Sequence, residues 1–309
     1  MSGPALSLRQ ALEARAPESQ RAEILAVADS FAPELGRYAE LIASPGGAAF
    51  GFMTRGEGAA FTARVAATLK ELGLPAAASE HHAALASWFE HIRGFAKFEW
   101  HRDGSAALAP MAAVYFRRRP QIESALSRLA ALGVVESVRE RLRELAAILE
   151  KPTVHFVSAA FLRGVEPQHK LYFSQLVIDE RKPAIEDRLR RVFDLLGLGD
   201  LRERWLPVHR RALASPVETT LYVSFNFTAG QLVPTVKVDY PGLFPTQVAA
   251  FGGAEPQGRD EIAAEASSVG AAMGADHLAY LGVRFEAGQW PPRLKYYADR
   301  HGEPAQGAA

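Results

Sequence analysis

Over residues 170–174 the side chains alternate: Leu171 and Phe173 fall on one face, Lys170, Tyr172 and Ser174 on the other. The flanking stretch 153–177 is rich in β-branched and aromatic residues around a turn region with Gly164 and Pro167, which predicts a β-hairpin. The same period of two returns elsewhere. Phe95–Trp100 and Met111–Arg117 flank the turn signal Asp103-Gly104. Residues 219–240 form the clearest hairpin, turning near Ala229-Gly230-Gln231, and 277–298 form a last one with Gly288 at its turn.

Between these stretches the apolar residues recur at helical spacing. Residues 19–43 read as helix through Leu25, Phe31, Leu35, Tyr38 and Leu41, with Pro33 dividing the run. Residues 67–93 predict two helices broken at Gly73–Pro75, with Leu85, Trp88, Phe89 and Ile92 as the second stripe. Helical pairs follow at 121–150 and 183–213, and a further helix at 259–275. Residues 47–66 fit two patterns. Phe50 and Phe52 alternate, Arg55-Gly56-Glu57-Gly58 suits a turn, and Phe61, Ala63 and Val65 alternate again, which favours a first hairpin. A helix from Gly58 is the competing assignment, because alanine dominates there.

A unit of two helices and two strands thus recurs at intervals of about 55–65 residues, the signature of a repeat architecture. A ring of about ten such strands leaves room for a ligand inside, with helices burying the apolar outer faces. The chain has 309 residues, 48% hydrophobic and 23% charged, enough for a sizeable core. Lysine plus arginine and aspartate plus glutamate both number 35, so no global basic field points to nucleic acid. The lack of cysteine excludes disulfides, thiolate metal sites and cysteine nucleophiles and fits a cytoplasmic location. No apolar run approaches the ~20 residues of a membrane span, and residues 1–20 lack an apolar signal core. Residues 1–299 are read as one domain and the small, polar 300–309 as a frayed tail.

Sorted by parity, the polar faces share a composition. Tyr115 and Arg117 lie on one face; so do Lys170, Tyr172 and Ser174; Thr235, Lys237 and Asp239; and Arg293, Lys295 and Tyr297. First strands add Lys97, Glu99 and His101, then Tyr222, Ser224 and Asn226, then Tyr280 and Arg284. The first hairpin drawn over 47–66 adds Thr62 and Arg64. Such faces ordinarily meet water. Here cations and tyrosines recur with few acids, and in a closed barrel unpaired cations are costly. A bound polyanion such as a diphosphate resolves that cost.

The repeated unit, with HKLYFSQL (169–176), LYVSFNFTAGQLVPTVKVDY (221–240) and YLGVRFEAGQWPPRLKYYAD (280–299), resembles the ABBA aromatic prenyltransferases, including the dimethylallyltryptophan synthases. The resemblance implies an α+β fold, an antiparallel ten-stranded prenyltransferase barrel surrounded by helices. It implies transfer of a prenyl group from an allylic diphosphate to an aromatic small molecule of indole or phenol type. Lys170, Lys237 and Lys295 match diphosphate-binding positions, joined by Arg64, Arg284 and Arg293. Tyr115, Tyr172, Tyr222 and Tyr297 match the shield of an allylic cation, with Ala113 where Tyr115 usually has a cationic neighbour.

Indole-prenylating members carry an inward glutamate on the first hairpin as base. The hairpin drawn over 47–66 offers none, which leaves Glu99, one hairpin later, as the candidate base or as a counter-ion for Lys97. Asp239 stands where a tyrosine is usual; it pairs with Lys237 or helps hold Mg²⁺, and no cofactor is otherwise required. The histidines 81, 82 and 91 lack firm ligand spacing, so no metal site is assigned. Arg117-Arg118-Arg119 reads as a solvated strand end. A monomer without nucleic-acid or membrane partners is expected. Two rivals stay open: the same barrel binding a small anionic or aromatic ligand without turnover, and two α+β domains with solvated sheets.

Overall fold

The computed structural model describes residues 7–88, 94–102, 108–117, 119–214, 219–252 and 256–299. The expected Asp103-Gly104 turn, Phe89, His91, Ile92, Arg118 and the tail from 300 lie outside them. Ten strands close into one antiparallel barrel. They are β1 (Ala39–Ala43), β2 (Ala49–Gly56), β3 (Gly94–Arg102), β4 (Leu108–Phe116), β5 (Phe156–Leu162), β6 (Gln168–Leu176), β7 (Thr220–Phe227), β8 (Leu232–Leu243), β9 (Leu278–Glu286) and β10 (Arg293–Asp299). Each strand pairs with its sequence neighbours, and β1 pairs with β10 to close the ring. Closure removes every sheet edge.

Helices surround the barrel: α1 (Leu8–Arg15), α2 (Glu18–Ser30), α3 (Ala32–Leu35), α4 (Gly58–Glu71), α5 (Ala76–Trp88), α6 (Ile122–Ala131), α7 (Glu136–Ile148), α8 (Lys182–Leu195), α9 (Arg202–Ala212), α10 (Pro245–Val248) and α11 (Pro256–Ala272). The main core lies between strands and helices, and a smaller cluster of Met111, Ala113, Tyr115, Ala160 and Tyr172 lies inside the barrel. Outward residues such as Phe98, Val114, Phe173, Val223, Phe225, Val238 and Phe285 pack with helix faces such as Leu126, Leu129, Leu142, Leu189 and Phe193. Each large side chain so buried stabilises the fold by about 1.5–3 kcal/mol. Fully buried Trp205 on α9 donates its indole N–H to the Tyr240 hydroxyl at 3.1 Å, so this polar atom within the core is satisfied. That hydroxyl also lies 3.0 Å from His209 Nδ1.

The first hairpin differs from the one drawn over 47–66. Helix ends at Leu35, and residues 39–43, expected to be helical, form β1 and pair with β2. Residues 58–71 form α4 instead of a second strand. Phe61 and Val65 stand four apart, a spacing that satisfies a period of two and one of 3.6 alike. Buried Leu69, four further on, extends the helical stripe. Arg64 and Thr62 therefore leave the barrel interior. Arg64 sits on α4, bound to Glu34 with its guanidinium 5.8 Å from the centre of the Phe31 ring, and is no part of the cation ring.

Candidate functional site

Cross-strand registers carry one set of side chains around the interior. Glu40 faces Asp299 on one side and Met53 on the other. Met53 faces Lys97, Gly51 faces Glu99, and Phe95 faces Tyr115. Lys170 faces Asn226, Tyr172 faces Ser224, Lys237 faces Arg284, and Tyr297 faces Tyr280. Parity along each strand is thus kept across the whole barrel.

Two chambers meet inside. A mouth chamber of about 430 Å³ is lined by Lys97, Lys170, Lys237, Lys295, Arg284 and Arg293, with His101 beside them. A second chamber of about 190 Å³ is lined by Tyr115, Tyr172, Tyr222, Tyr280, Tyr297, Phe95, Phe156 and Met53, with Glu40, Asp239, Asp299, Arg55 and Arg117. Lys237 and Tyr297 line both chambers. Lysines predicted on four separate hairpins thus line one chamber and the predicted tyrosines the other, with Lys237 and Tyr297 in both.

Most of the cations already have partners. Lys97 Nζ stands 2.7 Å from Glu99 Oε2, and Lys295 Nζ stands 2.7 Å from Glu99 Oε1. Lys237 pairs with Asp239 and lies 3.1 Å from the Tyr297 hydroxyl. Asp239 therefore holds a lysine, and among the described residues no group of three acidic or histidine side chains gathers to hold a metal ion. Gly282 makes room for this pair, since a Cβ there would lie 2.7 Å from Lys237 Cε. Arg293 reaches Glu286 at 3.2 Å and Arg284 lies 3.8 Å from it. Lys170 has no acidic partner among the described residues. Burial pushes its ammonium well below the usual lysine range, and Lys97, Arg284, Lys237 and Lys295 push it further. Lys295 is pushed down to about 7, burial outweighing the pull of Glu99.

The tyrosines form a collar below the cations. The Tyr115 and Tyr172 rings lie 5.8 Å apart, Tyr172 stands perpendicular to Phe156 at 6.0 Å, and Tyr222 lies 5.7 Å from Tyr280. Burial raises the hydroxyls of Tyr115, Tyr172 and Tyr297 well above the usual phenol range, so they stay neutral. Lys237 Nζ lies 4.9 Å from the Tyr297 ring centre, so these faces already receive a cation.

Two carboxylates divide by environment. Glu99, fully buried, is opposed by its own desolvation, but Lys295, Lys97 and a 3.2 Å contact with His101 hold it well below the usual carboxylate range. It is ion-paired to both Lys97 and Lys295. Glu40, also buried, is raised well above that range by burial and then by Asp299 and Asp239. The inward glutamate thought absent from the first hairpin is therefore present on β1. It was missed because 39–43 extended a helical spacing, although Glu40 and Ile42 alternate with Leu41 there.

No protein-family model and no curated protein matches the sequence. Solved structures do match. A complex of PriB with product diphosphate is 16% identical, with a TM-score of 0.56 over 95% of this chain and 96% of that one. A 5-dimethylallyltryptophan synthase from Streptomyces coelicolor is 13% identical, with a TM-score of 0.57 over 95% and 97%. AnaPT from Neosartorya fischeri is 14% identical, with a TM-score of 0.56 over 94% and 90%. At these identities the likeness establishes architecture: the chain has the ten-stranded prenyltransferase-barrel fold of the ABBA aromatic prenyltransferases.

Proposed function

We propose that the protein transfers a prenyl group from an allylic diphosphate to an aromatic acceptor. The charge of the mouth chamber carries this reading. Among the described residues six basic side chains face three carboxylates, Glu99, Asp239 and Glu286, so with every group ionised, as a bound anion favours for Lys170 and Lys295, the excess is three positive charges. An allylic diphosphate carries about three negative charges at pH 7, its last proton leaving near pH 6 as in other phosphate esters. Lys170, lacking an acid of its own, is the position where that anion is most needed. A complex of PriB with L-tryptophan and dimethylallyl thiolodiphosphate supports the same pairing of substrates for this fold.

In this mechanism the donor's C–O bond breaks and the pyrophosphate leaves with the electron pair, stabilised by Lys170, Lys237, Lys295, Arg284 and Arg293. The allylic cation lies against the faces of Tyr115, Tyr172, Tyr222 and Tyr297, and the closed wall excludes water. An aromatic carbon attacks, a C–C bond forms, and the released proton passes to a carboxylate. Glu40 suits that step better than Glu99. It lines the tyrosine-lined chamber, and in its ionised form it is the stronger acceptor, because no lysine pairs with it among the described residues as Lys97 and Lys295 pair with Glu99. Arg55 and Arg117 line the same chamber and make no ion pair among the described residues, which favours acceptors that carry an acid group.

The test combines calorimetry with dimethylallyl thiolodiphosphate and mass spectrometry of products formed from dimethylallyl diphosphate with indole and phenol acceptors. Prenylated product is expected. Binding without product from any acceptor would support the non-catalytic rival, and no binding would end the diphosphate assignment.

A further inference from the structure

Glu99 occupies an unusual place. It has no exposed surface, yet it touches two cations that line the mouth chamber. Lys295 stands 2.7 Å from one carboxylate oxygen and 2.9 Å from the other, while Lys97 stands 2.7 Å from the second. His101 Nε2 completes the shell at 3.2 Å. Gly51 of the neighbouring strand packs against the β3 backbone here, where a Cβ would stand 2.7 Å from Glu99 Cα and 2.0 Å from the Phe98 carbonyl oxygen.

We propose that Glu99 is a built-in competitor for two of the lysines that line the diphosphate chamber, Lys97 and Lys295, and that this competition sets how fast pyrophosphate leaves. The inference rests on the diphosphate reading above. A lysine ammonium has three donors and serves Glu99 and an incoming phosphate oxygen only by dividing them. The carboxylate, paired to both lysines, also repels the diphosphate across them. Its benefit lies at the end of the cycle. After transfer, a free pyrophosphate left in a ring of six cations would be slow to leave, and product release limits many enzymes. Glu99 takes Lys97 and Lys295 back. Ordering the lysines beforehand while lowering affinity for the leaving group makes it a positioning residue.

The experiment uses the full chain, with inorganic pyrophosphate as the probe. Glu99→Gln keeps the shape and removes the charge. Its affinity for pyrophosphate is expected to rise roughly ten- to hundredfold, mostly through slower dissociation. The alkylation step in single turnover is expected to change less than the release rate, so steady-state turnover becomes limited by release. Glu99→Asp retracts the carboxylate by one methylene and is expected to bind pyrophosphate a few-fold more tightly than wild type; it carries the test if Glu99→Gln does not fold. Unchanged or weaker binding in the folded variants overturns the inference. So does a large loss in the single-turnover step at unchanged affinity, which would return Glu99 to the role of base. Failure of wild-type protein to bind pyrophosphate at all would instead strike the diphosphate reading itself.

Discussion

Replacing Lys170 by methionine separates stability from function. In the empty barrel Lys170 is opposed by burial and then by four neighbouring cations, with no acidic partner among the described residues. Discharging a lysine at pH 7 costs at most about 4–5 kcal/mol, the span between pH 7 and its usual titration near 10.4 at 1.36 kcal/mol per pH unit. Lys170→Met keeps length and removes the charge, so it should recover part of that cost. For a chain of this size each kcal/mol shifts Tm by about 1.5–2 °C, so a rise of a few degrees is expected without ligand. The sign follows from proton linkage. The folded form holds the Lys170 proton less tightly than the unfolded chain, so folding stability rises with pH up to the unfolded value. The advantage of Lys170→Met should therefore shrink between pH 7 and pH 10. With donor present the order reverses. Loss of a charge-assisted contact of about 1.5–3 kcal/mol weakens dimethylallyl thiolodiphosphate binding by roughly ten- to 150-fold. Scanning calorimetry at several pH values and titration calorimetry measure the two effects. A Lys170→Met variant that melts lower and binds the donor normally would refute the reasoning.

Glu40→Gln is expected to slow alkylation in single turnover by roughly 10²–10⁴-fold while donor affinity stays within a few-fold, and retained alkylation would move the base elsewhere. Tyr172→Phe should keep most activity and Tyr172→Ala should lose it, because the ring face and not the hydroxyl meets the allylic cation; equal small effects would make Tyr172 a packing residue. His82 and His169 are each lowered to about 4, mainly by burial, and stay neutral in the fold. The unfolded chain takes up protons below about 6.5, so stability falls as pH drops from about 6.5 towards 4, by about 3 kcal/mol per histidine at the lower end. Circular-dichroism melts of His82→Gln and His169→Gln should show a flatter acid limb than wild type.

The later hairpins were legible because their alternation is local and long. Over 170–174, 235–239 and 293–297 one parity is apolar and the other carries cations and tyrosines, and no helix tolerates that pattern on a single face. The recurrence of the unit then pointed to a barrel with a polar interior. The first repeat was ambiguous for a physical reason. β1 has five residues and follows a helix whose spacing runs into it, while the Phe61–Val65 spacing serves either period. Local sequence could not choose, and packing of Val65 and Leu69 into the core between barrel and helices did.

By itself the sequence determined which side chains share a face, the absence of cysteine chemistry, and the concentration of Lys-x-Tyr pairs on second strands. Those properties depend on neighbours two to four residues away. The tertiary structure alone decided who meets whom across the cavity. Lys295 reaches Glu99 from 196 residues away, and Glu40 faces Asp299 only because β1 and β10 close the ring. Proton affinity follows from those meetings. Two buried glutamates of the same chemistry diverge, Glu99 held ionised between lysines and Glu40 raised beside Asp299, because closure sets the charges around each and strand alternation does not.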